Sequence, residues 1–241
     1  CKHGNSIDVH CERYGKMKSF YLGNPSDNFC LQIIKRVKQD IKDTYDNLTP
    51  EELVFFDQYR CPNYERDFFD INTKIRSHRN EDSIFASEKS FDIWGDAYEE
   101  DLFRAYPTVG VQLGIIREET FSYIEDIKKK YPQKEKLFKM AANTAIGAAQ
   151  TNFIFERYET KKGKPILTHY DVKKPCYYQI ARAIAVETTE CMRIATGEIF
   201  ETNPGLVWVD AAIVTDKKQA QKIASNLAKM DLPTTKNYNL R

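Results

Sequence analysis

The chain has 241 residues, and its 36 lysines and arginines nearly balance 35 aspartates and glutamates, for a formal net charge of +1. This balance excludes a protein that binds nucleic acid through an overall basic surface, so any such site must be local. With 41% hydrophobic residues, the chain can bury a core and falls outside the disordered class. It contains no stretch of about 18 apolar residues and no apolar leader segment, so we expect an intracellular protein without a membrane partner.

The first 90 residues predict a small region of helices and irregular segments. Residues 1–30 show no sustained period, and we expect loop there with one short strand near Ser19–Leu22. Apolar residues then recur at helical spacing from Ile33 to Ile41 and predict a first helix.

A capping-box pattern predicts where the second helix begins. Thr49 precedes Pro50 and is followed three residues later by Glu52, an arrangement that satisfies the free amides of a helix start. We expect this helix to continue to about Tyr59. Residues 61–90 are polar and irregular, so we place the end of an N-terminal domain near residue 90.

Residues 91–241 predict an α+β domain. The expected elements are a strand over 91–101 followed by a turn and a proline-terminated element, helices over 117–130, 133–150, 175–195 and 217–229, a hairpin over 153–170, and one buried strand over 206–215. Gly197 is expected to stop the third helix. The predicted fold is therefore a small helical N-terminal region followed by an antiparallel sheet of the three strand regions, covered by helices 133–150 and 175–195.

Three short segments carry residue types that suit chemistry on nucleotides. They are DLFRAYPT from Asp101, KMAANTAIG from Lys139 and WVDAA from Trp208. Taken in order, they resemble motifs A, B and C of the palm and fingers of family B DNA polymerases, whose patterns are roughly DxxSLYPS, KxxxNSxYG and YxDTDS. The resemblance covers about residues 91–230.

The matches follow the spacing within each motif. The matching positions are Asp101, Tyr106, Pro107 and Thr108 in the first segment, Lys139, Asn143 and Gly147 in the second, and Asp210 in the third. Thr144 and Ile146 replace the serine and tyrosine of the second motif. Ala212 stands where the third motif has its second aspartate.

The resemblance implies a role for each matching side chain. Asp101 and Asp210 would be the catalytic pair, holding Mg²⁺ or Mn²⁺ between adjacent strands so that the reacting oxygens are neutralised. The nucleotide-binding residues that it implies are Tyr106, Lys139, Asn143 and Gly147. Lys139 and Asn143 are four residues apart and share one helix face, while the tyrosine of the family lies under the sugar and excludes a 2′-hydroxyl.

The departures from the family pattern shape the expected function. Because Ala212 removes a metal ligand, the two-metal site is weakened and we expect template-directed synthesis to be impaired. The resemblance implies a palm-like domain over 91–241 with short fingers and little or no thumb. We expect a degenerate phage- or virus-like relative that binds nucleotide and a DNA or RNA primer–template, acts as a nucleotidyltransferase if active, and resides in the host cytoplasm or the virion.

Two other interpretations remain open at this point. A non-enzymatic viral structural or assembly protein could keep the palm scaffold and bind another viral protein after losing its metal site. An unrelated fold with chance matches would place Asp101 and Asp210 on opposite faces.

Other candidate sites have weaker patterns. Zinc binding by Cys1, His3, His10 and Cys11 is disfavoured because neighbouring side chains diverge, a nucleophilic Cys1 has no supporting residue, and neither His78 nor His169 has an evident triad partner. Three basic clusters, at 128–130, 161–164 and 173–174, flank the motifs. They predict either a nucleic-acid track or solvated helix ends and hairpin tips.

Overall fold

The computed structural model describes residues 2–3, 6–11, 15–21, 25–59, 84–87, 97–150, 153–161, 164–173, 177–235 and 238–240, with side chains over 28–59, 85–87, 97–150 and 177–235. The chain divides into two compact units that are interleaved in sequence. The first unit comprises 1–60 and 114–182, and the second comprises 61–113 and 183–241. The division of the chain into domains at residue 90 stays a prediction.

The fold class is α+β, as predicted. In chain order the elements are β1 (Lys2–His3), β2 (Ser6–Cys11), β3 (Gly15–Tyr21), α1 (Pro25–Asp46), α2 (Pro50–Asp57), β4 (Ile84–Ala86), β5 (Ala97–Asp101), α3 (Ala105–Gln112), α4 (Glu118–Lys130), a short 3₁₀ turn (Pro132–Lys134), α5 (Glu135–Gln150), β6 (Phe153–Lys161), β7 (Lys164–Lys173), α6 (Tyr178–Phe200), β8 (Gly205–Trp208), β9 (Ala211–Val214), α7 (Lys217–Ala228) and β10 (Tyr238–Leu240). No helix in the described part of the chain has the length and apolar character needed to cross a membrane.

The second unit is built on a five-stranded antiparallel sheet in the order β10-β5-β9-β8-β4. Helix α7 packs against β5 and β9, and apolar residues of α6 join the same core. The core cluster combines residues of α3, α6, β8, β9 and α7 with Leu102, which directly follows β5; its members include Leu102, Val109, Met192, Ile199, Val207, Ala212, Val214, Ile223 and Leu227. The sheet thus has one face buried under helices.

The first unit holds α1, α4 and α5 against one another. The buried faces of these helices follow the apolar periodicity of the sequence, with Ile33, Val37 and Ile41 on α1 fully covered. Asp40 lies on the same face at 1% exposure. Its carboxylate accepts hydrogen bonds from the Arg117 Nε, at 2.6 Å, and from the Arg117 backbone N–H, at 3.1 Å, so it ties α1 to the start of α4.

Several predicted elements are confirmed. The capping box opens α2, because the Thr49 side chain accepts from Glu52 N and the Glu52 carboxylate accepts from Thr49 N. The hairpin at 153–170 is present as β6 and β7, and α4, α5 and α7 begin and end close to the predicted residues.

Other predicted elements are corrected. The β6–β7 hairpin forms a separate two-stranded sheet in the first unit and does not extend the main sheet. Helix α5 belongs to the first unit, so α7 takes the place predicted for it beside the sheet. The N-terminal region contains strands β1 to β3 before α1, where we expected mostly loop.

Three local corrections have clear physical reasons. Helix α6 runs through Gly197 to Phe200, because one glycine costs a helix only about 1 kcal/mol. Pro107 lies in the first turn of α3 and does not end an element, since proline is tolerated there. Residues 206–215 form the β8–β9 hairpin in place of one strand.

Candidate functional site

The C-terminal end of β5 and the turn of the β8–β9 hairpin lie next to each other at one end of the strands of the main sheet. Asp101, the last residue of β5, lies directly opposite Ala211, the first residue of β9. The residue before Ala211 in the hairpin, Asp210, accepts a hydrogen bond through its backbone carbonyl from Leu102 N at 2.9 Å. The backbones of Asp101 and Asp210 are therefore immediate neighbours, as a shared cation would require.

The backbone is strained beside each of these aspartates. Val209, which precedes Asp210 in the hairpin turn, has φ +61°, and Arg104, three residues after Asp101, has φ +54°. A left-handed conformation is unfavourable for residues other than glycine and is an outlier for a β-branched side chain such as valine. Strain of this kind costs on the order of 1–3 kcal/mol and concentrates at functional sites.

Tyr106 lies in the first turn of α3. Burial raises the pKa of its hydroxyl, and the negative charge of Asp210 raises it further. The turn that positions Tyr106 is fixed by two hydrogen bonds. Thr108 Oγ1 donates to the Phe103 carbonyl at 2.9 Å, and Phe103 N donates to the Pro233 carbonyl at 2.8 Å.

The opposite face of the same strands is the core. Side chains alternate along a strand, so Glu100 and Ala212, which are direct cross-strand partners, face away from Asp101. Both are 0% exposed, and Ala212 belongs to the apolar cluster. The alanine that replaces the family aspartate therefore lies on the face that a metal ligand would not use.

Glu100 is a buried acid that the sequence analysis did not single out. Neither of its carboxylate oxygens has a hydrogen-bond partner of good geometry in the described part of the chain. Burial raises the pKa of the Glu100 carboxyl, and the nearby Thr234 hydroxyl opposes the rise. The run Glu99-Glu100-Asp101 carried a signal for this, because alternation in a strand must turn one of these acids toward the core.

The residues predicted from the second motif share one face of α5 in the first unit. Lys139 and Gly147 are exposed, and Asn143 between them is half-buried. The opposite face of the helix is buried, with Phe138, Ala142 and Ala145 nearly inaccessible. A Cβ added at Gly147 would meet no atom within 4 Å, so packing within the described residues does not demand a glycine there.

The predicted site residues thus form two groups, one in each unit. Asp101, Tyr106 and Asp210 come together in the second unit, and Lys139, Asn143 and Gly147 form a stripe on α5 in the first.

The donor set at the sheet edge fits one divalent cation better than two. The described residues contain no cluster of three or more His, Cys, Asp or Glu side chains that could hold a metal ion. Two carboxylates are nonetheless a usual protein contribution to a Mg²⁺ site, where phosphate oxygens and water supply the other ligands. Asp101 and Asp210 have the chemistry for such a site.

The remaining candidates fall partly outside the described side chains. The zinc candidates Cys1, His3, His10 and Cys11, together with His78, His169 and the basic clusters at 161–164 and 173–174, lie outside them. In the cluster at 128–130, Lys128 is only 5% exposed and pairs with Glu125 at 3.1 Å. Lys128 is therefore not available to a nucleic-acid track, whereas Lys129 and Lys130 are exposed.

Comparison with known proteins adds no relative: no family model, no curated protein and no solved structure matches the chain.

Proposed function

We propose that the protein is a degenerate, virus- or phage-type relative of family B DNA polymerases that binds a nucleotide together with one divalent cation, Mg²⁺ or Mn²⁺. The observation that carries the proposal is the close approach of the Asp101 and Asp210 backbones where β5 and the β8–β9 hairpin end. Two residues more than 100 positions apart in the chain become neighbours through the Leu102–Asp210 hydrogen bond. This proximity supports the proposal, because a shared cation requires the two carboxylates to belong to neighbouring strand ends.

The side chains have distinct roles in this proposal. Asp101 and Asp210 would hold the cation, which when bound neutralises charge on the phosphates of the nucleotide. Tyr106, whose pKa the charge of Asp210 raises, would contact the sugar. The resemblance also implies nucleotide-binding roles for Lys139, Asn143 and Gly147, which lie together on α5 of the first unit.

The residues at this site disfavour two-metal phosphoryl transfer. Two-metal catalysis needs ligands for an ion at the attacking oxygen and for one at the leaving oxygen. Position 212 faces the core and carries alanine, so this position supplies no third carboxylate. We therefore propose nucleotide and primer–template binding as the retained function, with template-directed synthesis greatly reduced or lost.

The test is a titration of labelled nucleotide in Mg²⁺ or Mn²⁺ against the wild type and an Asp101→Asn/Asp210→Asn variant. Loss of two charged contacts predicts binding about 100-fold weaker or more in the variant. The matched control is Glu198→Gln/Glu201→Gln, which removes two charges from exposed positions of the same unit and should bind like the wild type. Equal affinity in the wild type and the Asp101/Asp210 variant would contradict the proposal.

Primer extension under the same conditions separates the two classes of function. Extension by the wild type but not by the Asp101/Asp210 variant would make the protein an active nucleotidyltransferase. The buried Ala212 favours the second candidate, a viral scaffold or assembly protein without catalysis. That candidate predicts neither extension nor cation-dependent nucleotide binding.

A further inference from the structure

A cleft in the second unit lies between the C-terminal turns of helix α6 and strand β4. Its volume is about 460 Å³, which is in the range of pockets that hold small molecules. Residues 85–87 line one side. Helix α6 and the residue that follows it line the other side with Arg193, Thr196, Gly197, Phe200 and Glu201. These five positions recur every three or four residues and therefore share one helix face.

Gly197 leaves the helical side of the cleft without a side chain at its middle position. A Cβ added there would meet no atom within 4 Å, so packing within the described residues does not require a glycine. At Gly205 packing does require one, because a Cβ there would overlap the Phe200 ring. Glycine lowers helix stability relative to alanine, and a bare backbone allows a ligand to approach closely. Gly197 therefore points to an occupant that contacts the helix backbone.

The aromatic residues of the cleft favour a flat apolar ring as that occupant. The rings of Phe85 and Phe200 have centroids 6.3 Å apart and planes inclined at 61°, an edge-to-face pair that a third ring can join. The hydroxyls of the cleft already donate to backbone carbonyls, Thr196 Oγ1 to Met192 at 2.8 Å and Ser87 Oγ to Phe200 at 2.9 Å. A ligand therefore gains more from ring contacts than from hydrogen bonds to these hydroxyls.

The charges of the cleft favour a cation. The Arg193 guanidinium donates to both carboxylate oxygens of Glu190, with 2.8 Å between Nε and Oε2, so the acid balances its positive charge. Glu201 is exposed and takes part in no ion pair within the described part of the chain. It directly follows Phe200, so a cation at this end of the cleft can meet both a carboxylate and an aromatic ring.

We propose that this cleft binds a planar aromatic cation, with its ring against Phe85 and Phe200 over the bare backbone of Gly197 and its positive charge toward Glu201. The acids at the cleft repel phosphate groups, so the ligand class differs from a nucleotide. Asp101 and Asp210 are not part of the cleft, and the site therefore stands or fails independently of the proposed function.

The experiment is a ligand-observed NMR titration of the full chain with three probes that share one ring system and differ in charge. Tryptamine is cationic, indole is neutral and indoleacetate is anionic. We expect saturable binding of tryptamine with a dissociation constant of about 1 mM or lower, binding of indole about 3-fold weaker, and binding of indoleacetate weaker still. The absence of saturable tryptamine binding would overturn the site. Indoleacetate binding as tight as that of tryptamine would overturn the ligand class.

Gly197→Leu tests the cleft without threatening the fold, because leucine favours a helix and the added Cβ meets open space. The new side chain occupies the proposed ring position, so tryptamine should bind about 10-fold more weakly or worse. The control is Gln221→Leu, which adds the same side chain at an exposed position of α7 in the same unit and should bind like the wild type. Undiminished binding in Gly197→Leu, or an equal loss in Gln221→Leu, would overturn the proposal.

Glu201→Gln tests the charge preference. The variant should bind tryptamine about 3-fold more weakly and indole as well as the wild type does. Glu198→Gln is the matched control, since Glu198 is 83% exposed and pairs with Lys222, and its tryptamine affinity should be unchanged. Equal losses for tryptamine and indole in Glu201→Gln, or no loss for either probe, would contradict the role of Glu201.

Discussion

Glu100 and Asp101 are neighbours in one strand, yet they lie in opposite environments. Glu100 is fully buried beside Ala212, and burial raises the pKa of its carboxyl. Asp101 is half-buried at the end of the strand, next to Asp210 and on the same face as an exposed tryptophan. One face of the β5–β9 pair therefore serves folding, and the other carries the groups that a ligand can reach.

A third acid, Asp40, is also buried but has a cationic partner. Asp40 is as buried as Glu100, but it accepts two hydrogen bonds from Arg117. Its negative charge is compensated inside the first unit, which makes it a structural residue. An acid pair at a sheet edge with strained backbone on both sides is a better functional candidate than an acid with a dedicated arginine.

The largest expected effect comes from adding a carboxylate to either face. Ala212→Asp puts a charge into the core beside Glu100 and should lower the free energy of unfolding by about 4 kcal/mol or more. Ala211→Asp puts the same charge opposite Asp101 and should cost less, and added Mn²⁺ should recover part of the loss because it binds only the folded state. Denaturant titration with and without Mn²⁺ measures both. Equal losses in the two variants would remove the distinction between the faces.

The acid that has a cationic partner gives the next largest effect. Asp40→Asn removes the charge that Arg117 contacts and should lower the free energy of unfolding by about 2 kcal/mol, without changing nucleotide binding. Asp43→Asn is the matched control, since Asp43 is 39% exposed and 3.5 Å from the same guanidinium, and it should cost no more than about 0.5 kcal/mol. A loss in Asp43→Asn as large as that in Asp40→Asn would contradict the structural role of Asp40.

Glu100 should make stability depend on pH in a direction opposite to that of a salt-bridged acid. Between the unfolded pKa of about 4.3 and the raised pKa of the folded protein, the folded state keeps a proton that the unfolded state releases. Stability is therefore fully present at low pH and falls by up to about 1.4 kcal/mol per pH unit as pH rises through this window. Urea titrations across pH should show this fall in the wild type and in Glu99→Gln, and its disappearance in Glu100→Gln. The same slope in all three would place the titration elsewhere.

The smallest expected effect on stability is that of Gly147→Ala, which tests folding and nucleotide binding at this position separately. Gly147→Ala should stabilise α5 by up to about 1 kcal/mol, because alanine favours a helix and the added Cβ meets nothing within 4 Å. The same variant should bind nucleotide more weakly if a ligand approaches this position. Gly197→Ala on α6 is an open helical glycine of the same kind, and it should gain stability without losing affinity. Full nucleotide affinity in Gly147→Ala would count against its predicted role.

Sequence patterns predicted the elements whose signals are local. The period of α1 and the capping box of α2 depend only on neighbouring residues, and both are present. The β8–β9 hairpin was missed because its turn lacks glycine, proline or asparagine and instead places Val209 at positive φ. The membership of β6 and β7 in a sheet of their own depends on pairing between distant segments, which local periodicity does not encode.

The same difference between local and long-range signals applies to the candidate site. Motif spacing singled out Asp101, Tyr106 and Asp210; the structure places the Asp101 and Asp210 backbones side by side, and their role as a site stays a prediction. The face taken by position 212 was not predictable, since a shift of one residue in register turns every side chain of a strand to the other side. The burial of Glu100 and the exposure of Trp208 were not predicted for the same reason: only the observed register shows which face of the sheet each side chain takes.

The measurement that tests the central claim most directly is Mn²⁺ binding followed by electron paramagnetic resonance in the presence of nucleotide. The wild type is compared with Asp101→Asn and Glu100→Gln, two variants that remove a carboxylate from adjacent positions of β5 but from opposite faces. We expect one bound ion in the wild type and in Glu100→Gln, and binding about 10-fold weaker or more in Asp101→Asn. Wild-type affinity in Asp101→Asn, or an equal loss in Glu100→Gln, would contradict the assignment of the cation to the face of β5 that carries Asp101.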